Sequence, residues 1–308
     1  MFKRLVIFIG VLLYSSAITP IPQTQYDKQK ALLGKKLFFD PILSSDKKIS
    51  CASCHSFKHG GADNKAFSIG VYGRIDYPMN SPTVYNAVFN LAQFWNGRAK
   101  DLKTQAMMAN QDKNEMDMDK ETLERRINNI PSYKKLFFKV YNKHYITYDM
   151  VFDAIAEFEK ALITPNSRFD KFLKGDKDIL TKQEKRGYEL FIEYGCITCH
   201  NGRNLGGNSY QKLGVLKIDK KIKRGKDRFE VTKLLNDKYV YKVPTLRNIE
   251  LTAPYFHNGS VRKLKYAVAE MALYNLGIRL TKDDLEDIVA FLKTLTGQMP
   301  EILKNSDE

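Results

Sequence analysis

The sequence predicts an all-α protein of two related domains, and three observations carry that reading. One five-residue stretch occurs twice, as Cys51-Ala52-Ser53-Cys54-His55 and as Cys196-Ile197-Thr198-Cys199-His200. A second pattern, G-x-x-L-F, precedes each copy, as Gly34 to Phe38 and Gly187 to Phe191. From that Gly to the first Cys is 17 residues in one case (51 minus 34) and 9 in the other (196 minus 187). Third, apolar residues recur at helical spacing while strand signals are weak.

A lone C-x-x-C-H would leave open a zinc or redox C-x-x-C followed by His by chance. Two copies that use all four cysteines of the chain leave that little room. Two thiols at this spacing form thioethers to the two vinyl groups of one haem, and the next residue, His, reaches its iron. Cys51, Cys54, Cys196 and Cys199 are therefore read as the attachment points of two covalent c-type haems, with His55 and His200 as proximal ligands. No thiol remains for a disulfide, a nucleophile or a lipid anchor.

A length of 308 residues suggests about two domains. Residues 1–20 read as a secretory signal: Lys3 and Arg4 are its basic end, Leu5 to Leu13 its apolar core and Ser15-Ser16-Ala17 its cleavage site. The apolar run is short of the ~20 residues of a membrane helix, so no stable membrane insertion is expected. Haem of the c type is attached outside the cytoplasm in bacteria, so the expected location is the periplasm. The formal charge is +15, and +13 once Lys3 and Arg4 are lost. Lys217, Lys220, Lys221, Lys223, Arg224, Lys226 and Arg228 form a basic cluster, readable as a docking surface for an acidic redox partner or as a solvated loop. Nucleic acid is not an expected partner of an exported haem protein.

Along the chain, the first G-x-x-L-F helix leads into Asp40 to Ser50, which is rich in turn formers. Met150 to Ile163 reads as an amphipathic helix with Val151, Ile155, Phe158 and Leu162 on one face. Thr164-Pro165-Asn166 stops it, and the domains are divided there into 21–164 and 165–308. Thr181 and Glu184 form a capping box for a helix carrying Tyr188, Leu190 and Phe191 and ended by Gly195. Thr281 with Asp284 opens a terminal helix whose apolar stripe is Leu285, Ile288, Val289, Leu292 and Leu295. The second half therefore runs helix, C-x-x-C-H, long loop, helix, the order of a small class I cytochrome c. Met271 stands where such a cytochrome has its Met ligand, and Met–His ligation raises the potential, which suits an electron-entry site. The alternative is a core Met on a helix through Val268 and Ala272.

Several stretches taken together resemble the bacterial dihaem cytochrome c peroxidases. They are Leu37-Phe38-Phe39-Asp40-Pro41, Ile49-Ser50 with the first haem motif, Gly60-Gly61-Ala62-Asp63, Asn80-Ser81-Pro82-Thr83 and Gln93-Phe94-Trp95-Asn96-Gly97-Arg98-Ala99. Further on come Thr164-Pro165-Asn166-Ser167-Arg168-Phe169-Asp170, Val243-Pro244-Thr245-Leu246-Arg247-Asn248 and Thr252-Ala253-Pro254-Tyr255-Phe256-His257. The resemblance implies two cytochrome c-like haem domains packed around a shared interface with one bound calcium ion. It implies reduction of hydrogen peroxide to water with electrons from a small soluble cytochrome c or cupredoxin, peroxide meeting the first haem and electrons entering at the second. A homodimer is also implied.

The same resemblance carries roles onto single residues. Glu115 matches the distal acid/base and Gln105 the distal amide; breaking the O–O bond needs a proton moved between oxygens, which a carboxylate can do. Trp95, the only Trp, matches an electron conduit between the haems, and Met271 followed by Asn275-Leu276-Gly277 matches the second haem's sixth ligand. Asn80, Thr252 and Pro254 match the calcium ligands, partly through carbonyls, and His257 a residue near the second haem's propionates. One position departs. Where the family carries a His that caps the first haem until reduction removes it, this chain has Val71, which cannot bind iron. His59, Tyr72 and Met79 are the nearby substitutes. Two other readings remain: a purely electron-transferring dihaem cytochrome, and a protein-modifying dihaem oxidase, which uses Tyr where this chain has Met271.

Overall fold

A computed structural model of the chain describes residues 18–75, 79–216 and 225–304. Residues 1–17 of the expected signal lie outside these, as do Lys217, Lys220, Lys221, Lys223 and Arg224 of the basic cluster. The first half contains α1 (Lys28–Phe39), α2 (Cys51–Cys54), α3 (Leu102–Gln111), α4 (Lys120–Asn128), α5 (Pro131–Tyr141) and α6 (Tyr148–Lys160). The second contains α7 (Arg168–Leu173), α8 (Lys182–Glu193), α9 (Phe229–Thr232), α10 (Leu264–Met271), α11 (Lys282–Lys293) and α12 (Glu301–Lys304). Two short antiparallel strands, β1 (Tyr210–Lys212) and β2 (Val240–Lys242), pair with Tyr210 opposite Lys242. The protein is mostly helical, as the sequence predicts.

Caps set the helix starts. Asp27, Asp101, Asp119 and Thr147 each accept a hydrogen bond from the amide three residues on, satisfying an N–H that the helix itself cannot. The Thr181–Glu184 box is reciprocal, and the chain then turns through Gly195 at φ 80°. Only half of the Thr281–Asp284 box forms: the Thr281 hydroxyl accepts from the Asp284 amide. The Asp284 carboxylate instead accepts from the Tyr194 hydroxyl at 2.8 Å, tying α11 to the end of α8.

The G-x-x-L-F repeat marks two equivalent helix crossings. At Gly34 in α1, a Cβ would collide with the carbonyl of Ala154 in α6. At Gly187 in α8, it would collide with the carbonyl of Asp287 in α11. Glycine lets the two backbones touch. The Leu and Phe that follow are buried in both copies. Phe38 meets Phe158 at 5.2 Å between ring centroids, and Phe191 meets Phe291 at 5.3 Å. The helix expected to run from Met150 to Ile163 runs from Tyr148 to Lys160; it is the closing helix of the first domain and the counterpart of α11.

Each pair anchors its own core, and the chain ends cross between them. Ile302 of α12 packs into the first core, and the Lys35 ammonium donates to its carbonyl at 2.8 Å. Ile18 packs on the second core. The Thr19 carbonyl accepts from the Arg247 guanidinium at 3.0 Å, and the Ile21 amide donates to Asp170 at 3.3 Å. Arg247 and Asp170 form a fully buried ion pair at 2.8 Å. Such a pair is tolerable only when further hydrogen bonds satisfy it, and here Ser167, Arg203 and the incoming chain supply them. No helix among the described residues is long and apolar enough to cross a membrane.

Candidate functional site

The two C-x-x-C-H motifs open onto two cavities. In the first, Ser50 and Ser53 cap α2 reciprocally, so Cys51 and Cys54 stand one turn apart and line one wall with His55. The His55 amide closes the turn onto the Cys51 carbonyl at 3.0 Å. Its Nδ1 lies 3.2 Å from the Gly61 carbonyl. His200 repeats this, with Nδ1 3.3 Å from the Leu205 carbonyl. With the proton on Nδ1, each imidazole offers the lone pair of Nε2, the usual second-shell device of a metal-bound His. Burial depresses both imidazoles, His200 to about 4, so they are neutral and able to ligate. The four thiols form no disulfide. Burial raises all four, Cys54 and Cys196 to about 11. Paired thiols beside a neutral, oriented imidazole fit a c-type haem in each cavity.

Glu115 and Gln105 line the first cavity together with His55. Gln105 comes from α3, Glu115 from the turn that follows it. That turn is fixed from the neighbouring loop: the Val71 amide donates to the Glu115 carbonyl at 2.9 Å. Arg74 donates to Lys113 at 2.7 Å and pairs with Asp117 at 2.8 Å. Val71, at the position where the resemblance implies a capping His, is fully buried and acts through its backbone. Of the three substitutes, only Met79 lines the cavity; its sulfur accepts from the Lys226 amide at 3.2 Å. Tyr72 is 63% exposed.

The second cavity is lined by Cys196, Cys199, His200 and Met271. Met271 closes α10, and a turn of π-helix over Ala272–Leu276 follows it, a distortion common at functional sites. Trp95 is the one aromatic residue among those described that lines both cavities. Its indole donates to the Asn80 carbonyl at 2.8 Å. Its ring stands edge-on to His257 at 6.2 Å, and His257 stacks on Tyr241 at 4.1 Å. Asn80, Thr252 and Pro254 all line the second cavity. No cluster of three or more His, Cys, Asp or Glu able to hold a metal occurs among the described residues. A cation there would meet neutral oxygens, which calcium accepts.

Three lining residues escaped the sequence reading. Tyr241 and Lys242 lie on β2, and burial lowers the Lys242 ammonium to about 8. Glu159 is a buried carboxyl in the first cavity. Its signal was available: extending the internal repeat into α6 and α11 sets Glu159 against an apolar residue.

The Di-haem cytochrome c peroxidase family model matches residues 28–178, and the Cytochrome c model matches residues 184–296. The chain is 47% identical over 293 residues to the cytochrome c551 peroxidase of Nitrosomonas europaea, covering 95% of this chain and 87% of that one. It is 45% identical over 300 residues to the cytochrome c551 peroxidase of Pseudomonas aeruginosa, covering 94% and 86%. Among solved structures it resembles a MauG-like protein associated with microbial copper homeostasis, with a TM-score of 0.79 at 26% identity over 94% and 95% of the two chains. Two haem motifs, each following one of two equivalent helix crossings, and matches over almost the whole chain to peroxidases of this kind place it: the chain belongs to the di-haem cytochrome c peroxidase family.

Proposed function

We propose that this peroxidase works in the periplasm, as a homodimer, reducing hydrogen peroxide to water. The balance is one peroxide, two protons and two electrons to two waters, the electrons coming one at a time from a small soluble cytochrome c or cupredoxin. Bound at the two motifs, the haems supply the irons that carry the electrons and meet the peroxide. His55 and His200 would each hold one of those irons, and Met271 would be a further ligand of the second. The observation that carries the reading is an asymmetry. The two cavities share their proximal design, but one holds Gln105 and Glu115 and the other holds Met271.

In the first cavity Glu115 takes the proton from the near oxygen of peroxide and delivers it to the far one, which leaves as water. Gln105 orients the peroxide by hydrogen bonding. Trp95, which lines both cavities and is held by Asn80, carries electrons between them. Calcium bound by Asn80, Thr252 and Pro254 would stiffen that wall. Domains of 21–164 and 165–308 then divide the labour, the first acting on peroxide and the second taking in electrons.

The test is Glu115→Gln, which keeps the shape and removes the base. Peroxide turnover falls by about 10²-fold or more while the second haem's potential stays in place. Near-normal turnover would assign the proton transfer to another group.

A further inference from the structure

The internal repeat sets a buried carboxyl in one haem cavity where the other has a leucine. Gly34 abuts Ala154 and Phe158, and Gly187 abuts Asp287 and Phe291. Position 154 therefore corresponds to 287, and 158 to 291. One residue on, Glu159 corresponds to Leu292; three residues back, Ile155 corresponds to Ile288. Ile155 and Glu159 line the His55 cavity, and Ile288 and Leu292 line the His200 cavity. The two walls match except for this carboxyl.

Glu159 is 4% exposed, and its Oε2 has no hydrogen-bond partner among the described residues. Its neighbour Glu157 is fully engaged, by the Asp27 amide at 2.7 Å and by Lys160 at 2.8 Å. A bare buried carboxylate is costly, and burial alone raises Glu159 to about 8. The other charged or titratable groups lining the cavity are Cys51, Cys54, His55, Arg98 and Glu115. The cysteines lose their titration as thioethers, and His55 is held neutral by burial. Arg98 lies over the Phe94 ring at 3.4 Å and donates to Asn96 at 3.4 Å.

We propose that Glu159 is a redox-linked proton site: it takes up one proton when the first haem's iron gains an electron, and releases it when that iron is oxidised. The ferric centre carries one more positive charge than the ferrous one. In a cavity of low dielectric that charge favours the carboxylate, and its loss favours the acid. One electron and one proton enter together, so the charge of the cavity is unchanged. The electron comes from the donor protein, or from a mediator in a titration, and the proton from solvent. The second cavity, with Leu292, has no such group and keeps its potential independent of proton uptake there. The inference rests on a haem at Cys51, Cys54 and His55, and not on which haem meets peroxide.

The test is a spectroelectrochemical titration of the holoprotein without peroxide, across the neutral pH range, for wild type, Glu159→Gln, Glu159→Leu and Glu115→Gln. In the wild type the first haem's midpoint potential falls as pH rises, because the carboxylate stabilises ferric iron. In both Glu159 variants that slope is lost, and the potential lies above the wild-type value at the alkaline end. The second haem's potential is the same in all four proteins, and Glu115→Gln keeps the slope. An unchanged slope in Glu159→Gln overturns the proposal, as does a slope lost in Glu115→Gln but kept in Glu159→Gln. If Glu159→Leu fails to load its first haem, the isosteric Gln variant decides alone. A protein that reduces no peroxide would still give a clear answer.

Discussion

Gly187→Ala tests whether the repeated glycine holds the second haem domain together. The new Cβ would stand 2.9 Å from the Phe291 Cβ and still closer to the Asp287 carbonyl. The carbonyl cannot rotate aside, because it belongs to the backbone of α11. The two helices must therefore part, and overpacking of this kind costs about 1–3 kcal/mol, here at the upper end. Alanine returns about 1 kcal/mol of helix propensity. The net loss is about 2 kcal/mol, which at roughly 2–4 °C per kcal/mol lowers the denaturation midpoint by about 4–8 °C. The assay is thermal denaturation of the holoprotein, followed by far-ultraviolet circular dichroism and by the haem bands. Phe191, Ile288 and Leu292 line the second cavity, so the sulfur-to-iron band of the second haem should weaken first. Gly34→Ala should destabilise to a similar extent and leave that band alone. A Gly187→Ala protein that melts at or above the wild-type midpoint would refute the reasoning.

Two further predictions concern the sixth positions of the irons. Met271→His should lower the second haem's potential markedly, since imidazole stabilises ferric iron better than a thioether does; an unmoved potential with a persistent sulfur-to-iron band would remove Met271 as the ligand. With valine at position 71, the first haem should be high-spin or water-bound in the fully oxidised protein and react with peroxide without prior reduction. Electron paramagnetic resonance showing two low-spin signals and no high-spin ferric signal would defeat this. Met79→Leu would then be the informative variant, since Met79 alone of the three substitutes lines that cavity.

Much of the site was legible because haem attachment is a local pattern. C-x-x-C-H needs only one turn of chain to face both thiols to one porphyrin edge, so Cys51, Cys54 and His55, and their second copies, could be read directly. The helices were legible for the same reason, through caps such as Thr181 and apolar periodicity. Glu115 was not legible in that way. Its neighbours Asp112, Asp117 and Asp119 are as acidic, and only family resemblance singled it out. What brings it to the cavity is a long-range bond from Val71, which no spacing encodes. Trp95 is similar: a lone indole is conspicuous, but its position between two cavities depends on the distant Asn80 carbonyl.

The sequence by itself determined two haem attachments, two proximal histidines, a mainly helical chain and the internal repeat, because each rests on residues within a few turns of one another. Tertiary structure alone decided the rest. It made α6 the closing helix of the first domain, through backbone contact at Gly34. It crossed the ends of the described chain, so that the Arg247–Asp170 pair grips Thr19 and Ile21 while α12 packs into the first core. It also brought Glu159 into the first haem cavity and Leu292 to the matching place in the second. The physical reason is common to all three: a helix face is specified locally, but the partner that buries it is chosen by packing across the whole chain.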